Sequence, residues 1–184
     1  MRTFFFGLLF VLSTKTYGQS STLSDTLHWS ENRSLGWADF KGETIDGIGF
    51  TGEVFCLIIA NFERPDNSKK TKFTVFAIFD KTKSWISPEG KTNSALKYFQ
   101  ILFDIYEVHA RHLRKELEQS ETEADVNVVF QEKYNRSMTN LTTEFNIFRK
   151  ETKLGKDKKI LLKWKKKVED ELQSLEAYKN NSPS

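Results

Sequence analysis

The chain has a single cysteine, Cys56, so it can close no internal disulfide. That thiol lies in the apolar run Val54-Phe55-Cys56-Leu57-Ile58-Ile59 and reads as a buried, inert group in preference to a reactive one. There is no stretch of about 20 apolar residues of the kind a bilayer span needs. The apolar run Phe4 to Leu12 is too short for that. With Arg2 before it and Thr16-Tyr17-Gly18 after it, residues 1–18 read as a secretory signal with cleavage before Gln19. A retained N-terminal anchor is the other reading of the same run. No cysteine follows it, which argues against a lipid-anchored lipoprotein. Charge of one sign is also missing. The net charge is +3, and Arg2 and Lys15 are the only charged groups in the signal, so the remainder carries +1. A nearly neutral chain argues against nucleic acid as a partner. No phosphate-binding glycine loop, Ser-His-Asp or Cys-His arrangement or internal repeat is legible. The expected organisation is a signal over 1–18, a linker over 19–27, one domain over 28–179 and a disordered polar tail over 180–184. The product is not expected to be an integral membrane protein once the signal is removed.

What is present is strong periodicity. Gly47 to Phe62 and Thr71 to Asp80 read as two long strands joined by the turn-rich Glu63 to Lys70, giving an antiparallel hairpin. In the second strand both faces carry apolar groups. Ser94 to Lys115 reads as a helix, with Thr92, Asn93 or Ser94 as its cap. Phe99, Phe103, Tyr106, Ala110, Leu113 and Leu117 form its apolar stripe, and Gln100, Asp104, Glu107, Arg111 and Arg114 fall on the opposite, water-facing side. Glu107 and Arg111 are spaced for an i,i+4 pair. Tyr98, Leu102, Ile105 and His109 make a third, narrow stripe. Ala124 to Glu151 and Asp157 to Tyr178 read as two further helices. The lysines from Lys150 to Lys167 are followed by Glu169, Asp170, Glu171 and Glu176, so they read as a solvated face. An N-terminal antiparallel sheet followed by three long helices is an α+β arrangement.

Three segments carry a resemblance. The central helix keeps Gln100, Phe103, Asp104, Ile105, Glu107, Ala110, Arg111 and Arg114 of a pattern H-E-Q-x-H-F-D-I-x-E-x-x-A-R-x-x-R. Trp29 to Gly42 matches every fixed position of W-x-x-x-R-x-L-x-W-x-D-F-K-G. Phe148 to Gly155 keeps Glu151, Thr152 and Gly155 of Y-D-x-E-T-x-H followed by Gly or Ser, and Ser84-Trp85 matches a further position. Together these resemble a family of secreted bacterial proteins, the domain of unknown function nine-two-two, described as zinc-dependent proteases. The resemblance implies a zincin-like fold and a periplasmic or secreted location in a Gram-negative bacterium.

In H-E-x-x-H, two histidines one turn apart grip a zinc ion and the glutamate is the general base toward its water. Here Tyr98 and Leu102 stand at the histidine positions and Phe99 at the glutamate. Leu154 stands where the resemblance implies a third ligand. Leucine has no lone pair to offer, a phenol with a pKa of about 10 is a poor ligand at neutral pH, and phenylalanine accepts no proton. The resemblance therefore implies a non-catalytic homologue without a metal or other cofactor. Its former cleft would bind a peptide or an envelope protein. The competing reading is an active metal-dependent hydrolase whose site has moved to His109, His112 and Glu116, although two histidines at a polar helix end also fit plain solvation. If Leu154 marks a former ligand position, it should meet Tyr98 and Leu102 in a packed apolar contact, with Glu107 on the solvent side beside Arg111.

Overall fold

A computed structural model describes residues 25–45, 51–64, 71–120 and 125–180. The proposed signal, most of the linker, the centre of the hairpin connection and residues 181–184 lie outside the described residues. Five strands precede three helices: β1 (Thr26–His28), β2 (Gly52–Glu53), β3 (Cys56–Glu63), β4 (Lys72–Asp80), β5 (Trp85–Ile86), α1 (Asn93–Glu118), α2 (Val126–Glu151) and α3 (Lys158–Ser174). The fold is α+β, as the periodicity predicts.

Strands β3 and β4 form the expected antiparallel hairpin, in register from Cys56 opposite Phe79 to Glu63 opposite Lys72. Strand β1 adds to the other side of β4, giving the order β1-β4-β3. The first long strand differs from expectation. Its described part is two pieces, because β2 leaves the hairpin to pair with β5. The buried Ser84 hydroxyl accepts the Phe55 amide at 2.9 Å at this break, capping the backbone where the ladder changes partner. Gly42 is required nearby. Its amide donates to the Ser84 carbonyl at 2.8 Å, and a Cβ there would lie 2.9 Å from that same oxygen.

Each helix starts on a side-chain cap. Thr92 accepts the Ala95 amide, Asp125 the Asn127 amide and Asp157 the Ile160 amide. Helix α1 runs through the middle of the molecule, with the sheet on one side and α2 and α3 on the other. Phe79 of β4 meets Phe103 with ring centroids 5.9 Å apart, and Phe40 packs on both Phe79 and Phe99. The aromatics of the Trp29–Gly42 segment thus close over the core as expected. The third helix ends at Ser174, short of the expected Tyr178. A separate 3-10 turn, Glu176–Tyr178, completes the chain's path back to the sheet. Among the described residues, no helix is long and apolar enough to cross a membrane.

Candidate functional site

Tyr98 and Leu102, the N-terminal half of the narrow stripe on α1, face a cavity of about 400 Å³. Tyr98, Phe99 and Leu102 form its floor, and Leu154 joins them from the α2–α3 connection. Val54 and Ile86 close the sheet side, while Phe145 and Arg149 come from α2. All four positions where the resemblance places the metal machinery therefore line one cavity, although Leu154 is more than fifty residues from the others in sequence. The expected contact is only half formed. Leu154 keeps 42% of its surface exposed, so it stands at the rim and seals nothing.

The connection that carries Leu154 is strained. Lys153, Leu154 and Gly155 have φ values of 51°, 57° and 81°, a left-handed run that costs energy at the two residues with a Cβ. Gly155 is pinned against the cavity floor, since a Cβ there would sit 2.8 Å from the Tyr98 Cβ. Ser94 holds the loop by donating to the Gly155 carbonyl at 2.8 Å. Upstream, the Thr152 hydroxyl donates to Phe148 O, and Glu151 accepts the Trp164 indole N–H.

Tyr98 is not poised to act as a ligand. It stacks on Phe148 at 4.8 Å, and burial pushes its phenol up to about 12 against the opposing pull of the Arg149 guanidinium. A phenol is protonated at neutral pH under those conditions. The described residues around Tyr98 on the floor are carbon-lined, so the floor can bind an apolar group, and the polar side chains of the cavity, Thr51, Glu53, Arg149 and Lys156, come from the strand side and the α2–α3 side.

The polar side of α1 is exposed at its ends, Lys97 and Glu118, but largely buried between them, which corrects the sequence reading there. Glu107 is only 3% exposed. It accepts from Arg111 Nε at 3.1 Å and from Arg114 through two nitrogens at 2.9 and 3.2 Å. Arg111 donates onward to Leu172 O and lies over the Trp29 ring, and Arg114 donates to Val75 O and Tyr178 O. The pairing with Arg111 was expected; the burial and the second arginine were not. Asp104 is likewise engaged, accepting from the Trp29 indole and from Gln100, each at 2.8 Å. Burial raises its pKa despite those two donors. Gln100 in turn accepts the Leu35 amide at 2.7 Å. The Trp29–Gly42 segment and the α1 pattern thus clasp each other.

The relocated-site residues are not drawn together. His109 Nε2 lies 2.8 Å from Glu144 Oε2, on the floor of a groove between α2 and α3, and Glu116 pairs with Arg136 at 2.8 Å. The His109 and His112 rings are 6.4 Å apart, and burial lowers the His112 pKa. Among the described residues no group of three His, Cys, Asp or Glu side chains is placed to hold a metal. Cys56 is buried as expected, and desolvation pushes its thiol far up.

Sequence reasoning missed the Glu107 cluster. Its signal was the E-x-x-x-R-x-x-R spacing, which sets three charged side chains along one helix face. No family model, curated protein or solved structure matches the chain.

Proposed function

We propose that the chain is an exported, non-catalytic homologue of the zinc-dependent proteases it resembles, working as a peptide- or envelope-protein-binding module. One observation carries this reading. The four positions that would hold and serve the metal line a single cavity, and tyrosine, phenylalanine and two leucines occupy them. A cavity shared by those four positions and lacking histidine or carboxylate at any of them supports a non-catalytic reading. The short apolar run after Arg2 supports export.

The test is reconstruction. Tyr98→His, Phe99→Glu, Leu102→His and Leu154→His together should give zinc binding in calorimetry or by metal analysis, while the unaltered chain purifies without stoichiometric zinc. A folded quadruple variant that takes up no zinc would defeat the ancestral-site reading. Chelator-sensitive peptidase activity in the unaltered chain, abolished by His109→Ala, would replace it with the relocated hydrolase.

A further inference from the structure

The rim of the same cavity has a charge pattern that its apolar floor does not explain. Arg149 lines it from α2 and Lys156 from the connection to α3. Arg149 stacks over the Phe145 ring, its Cζ 5.2 Å from the centroid. Neither cation forms an ion pair with a described carboxylate, although the surface elsewhere is rich in such pairs, such as Arg136 with Glu116 and Lys167 with Glu144. Among the described residues Glu53 is the one acid at the rim. Two cations against one anion leave a single positive charge beside an aromatic and aliphatic floor.

A ligand matched to this cavity has an apolar body and one negative charge. Its size limits the body. About 400 Å³ lies at the small end of the range for ligand cavities, so it suits one terminal residue better than an extended acyl chain. The wall favours a peptide. Strand β2 contributes Gly52 and Glu53 to the cavity and pairs only with β5 among the described residues. Among the described residues no strand pairs with its other edge, so a peptide main chain can align there, whereas a fatty acid has no groups to use.

We infer that the cavity captures the C-terminal residue of a peptide, with its apolar side chain on Tyr98, Phe99 and Leu102 and its free carboxylate at Arg149 and Lys156. A guanidinium offers the paired donors that a terminal carboxylate accepts. The inference rests on the binding-module reading and gives that module a ligand class. It also gives a role to the left-handed turn at Lys153–Gly155, which sets Leu154 and Lys156 on one rim.

The test uses the full chain and fluorescence anisotropy with fluorescein-labelled Gly-Ser-Gly-Ser-Leu, as the free acid and as the C-terminal amide. The free acid should bind, and the amide at least tenfold more weakly. Arg149→Gln and Lys156→Gln should each weaken the acid severalfold and leave the amide unchanged. Leu154→Asp, at an exposed rim position, should repel the acid by a similar factor, with circular dichroism confirming that it folds. Ala95→Trp should block both peptides, with circular dichroism confirming that it folds. Equal binding of acid and amide, both lost in Ala95→Trp, would overturn the carboxylate inference and leave the binding module standing. Binding of neither peptide would remove both. Displacement of the probe by decanoate at lower concentration than by the unlabelled peptide would overturn the inference in favour of a fatty acid.

Discussion

Replacing Glu107 with glutamine keeps the shape of the side chain and removes the buried negative charge between two guanidiniums; the other carboxylate at Arg111, Glu176 at 3.3 Å, is 58% exposed. The wild-type carboxylate accepts three hydrogen bonds, from Arg111 at 3.1 Å and from Arg114 at 2.9 and 3.2 Å. Glutamine also turns an N–H pair toward donors. Breaking a buried pair by removing one partner costs about 3–5 kcal/mol, chiefly because the other charge is left uncompensated. The lower part of that range fits best, since Arg111 keeps Leu172 O at 2.6 Å and Arg114 keeps Val75 O at 3.0 Å and Tyr178 O at 2.7 Å. For a domain of this size each kcal/mol moves the melting temperature by about 2–4 °C, so a loss of about 3–4 kcal/mol in Glu107→Gln should lower it by about 6–16 °C. Urea denaturation gives the free energy directly, provided the slope is unchanged. Arg136→Gln is the internal comparison. Its pair with Glu116 is as short, at 2.8 Å, but both side chains are about half exposed, so solvent screens it and the substitution should leave the melting temperature nearly unchanged. A Glu107→Gln loss of less than about 1 kcal/mol would refute the buried cluster and restore Glu107 to the solvent face of α1.

Three further measurements probe other parts of the molecule. Gly155→Ala should cost about 1–3 kcal/mol, since φ is 81° and the new methyl would press on Tyr98; a neutral result in a thermal melt would mean that the α2–α3 turn is free to move. The hydrogen bond from His109, with help from Lys167, holds Glu144 at about 2, below its ordinary 4.5. A depressed carboxylate contributes stability above its unfolded pKa and loses it as the group protonates, so stability should fall between about pH 4.5 and 2. Glu144→Gln should flatten that limb, and an unchanged acid limb would count against the ion pair. Burial lifts Tyr98 to about 12, so its contribution should hold below pH 10 and fade as pH rises toward 12. The alkaline absorbance titration of Tyr98→Phe should lack one late-titrating tyrosine, and the loss of an ordinary one instead would contradict the packing around that ring.

The three helices were legible because caps and apolar periodicity agree in each. Thr92, Asp125 and Asp157 begin them, and the strongly periodic α1 ends within a few residues of its expected boundary. The polar side of α1 was misread for a physical reason. Periodicity assigns charged residues to water, and a glutamate buried between two arginines has the same spacing as a solvated i,i+4 pair. Only the tertiary surroundings separate them: Trp29 above Arg111, and the carbonyls of Val75, Leu172 and Tyr178 beyond the guanidiniums. The break between β2 and β3 was hidden because the Ser84 hydroxyl that caps Phe55 lies 29 residues downstream. The cavity had no periodic signal at all. Leu154 could be set beside Tyr98 and Leu102 only through the resemblance, and neither the strain at Lys153–Gly155 nor the unpaired rim cations showed in the sequence.

The positions where the resemblance holds and those where it fails differ in what replacement would cost. Each polar residue of the surviving α1 pattern has a partner inside the fold. Gln100 and Asp104 clasp the Trp29–Leu35 segment, and Glu107 is held between Arg111 and Arg114. Losing any one would orphan a buried group, at about 1–3 kcal/mol for a neutral partner and more for a charged one. The departures face the cavity. There a leucine in place of a histidine leaves no buried polar atom unsatisfied and adds apolar contact, so folding does not oppose it. Selection for stability alone would therefore keep the scaffold pattern while leaving the cavity free to change. The match to that pattern is therefore evidence about folding, and the activity has to be read from the cavity itself. Its floor is apolar and its rim carries two cations to one anion. On the proposed reading, in which the cavity takes a peptide's terminal carboxylate, Arg149 and Lys156 are the side chains on which binding should turn.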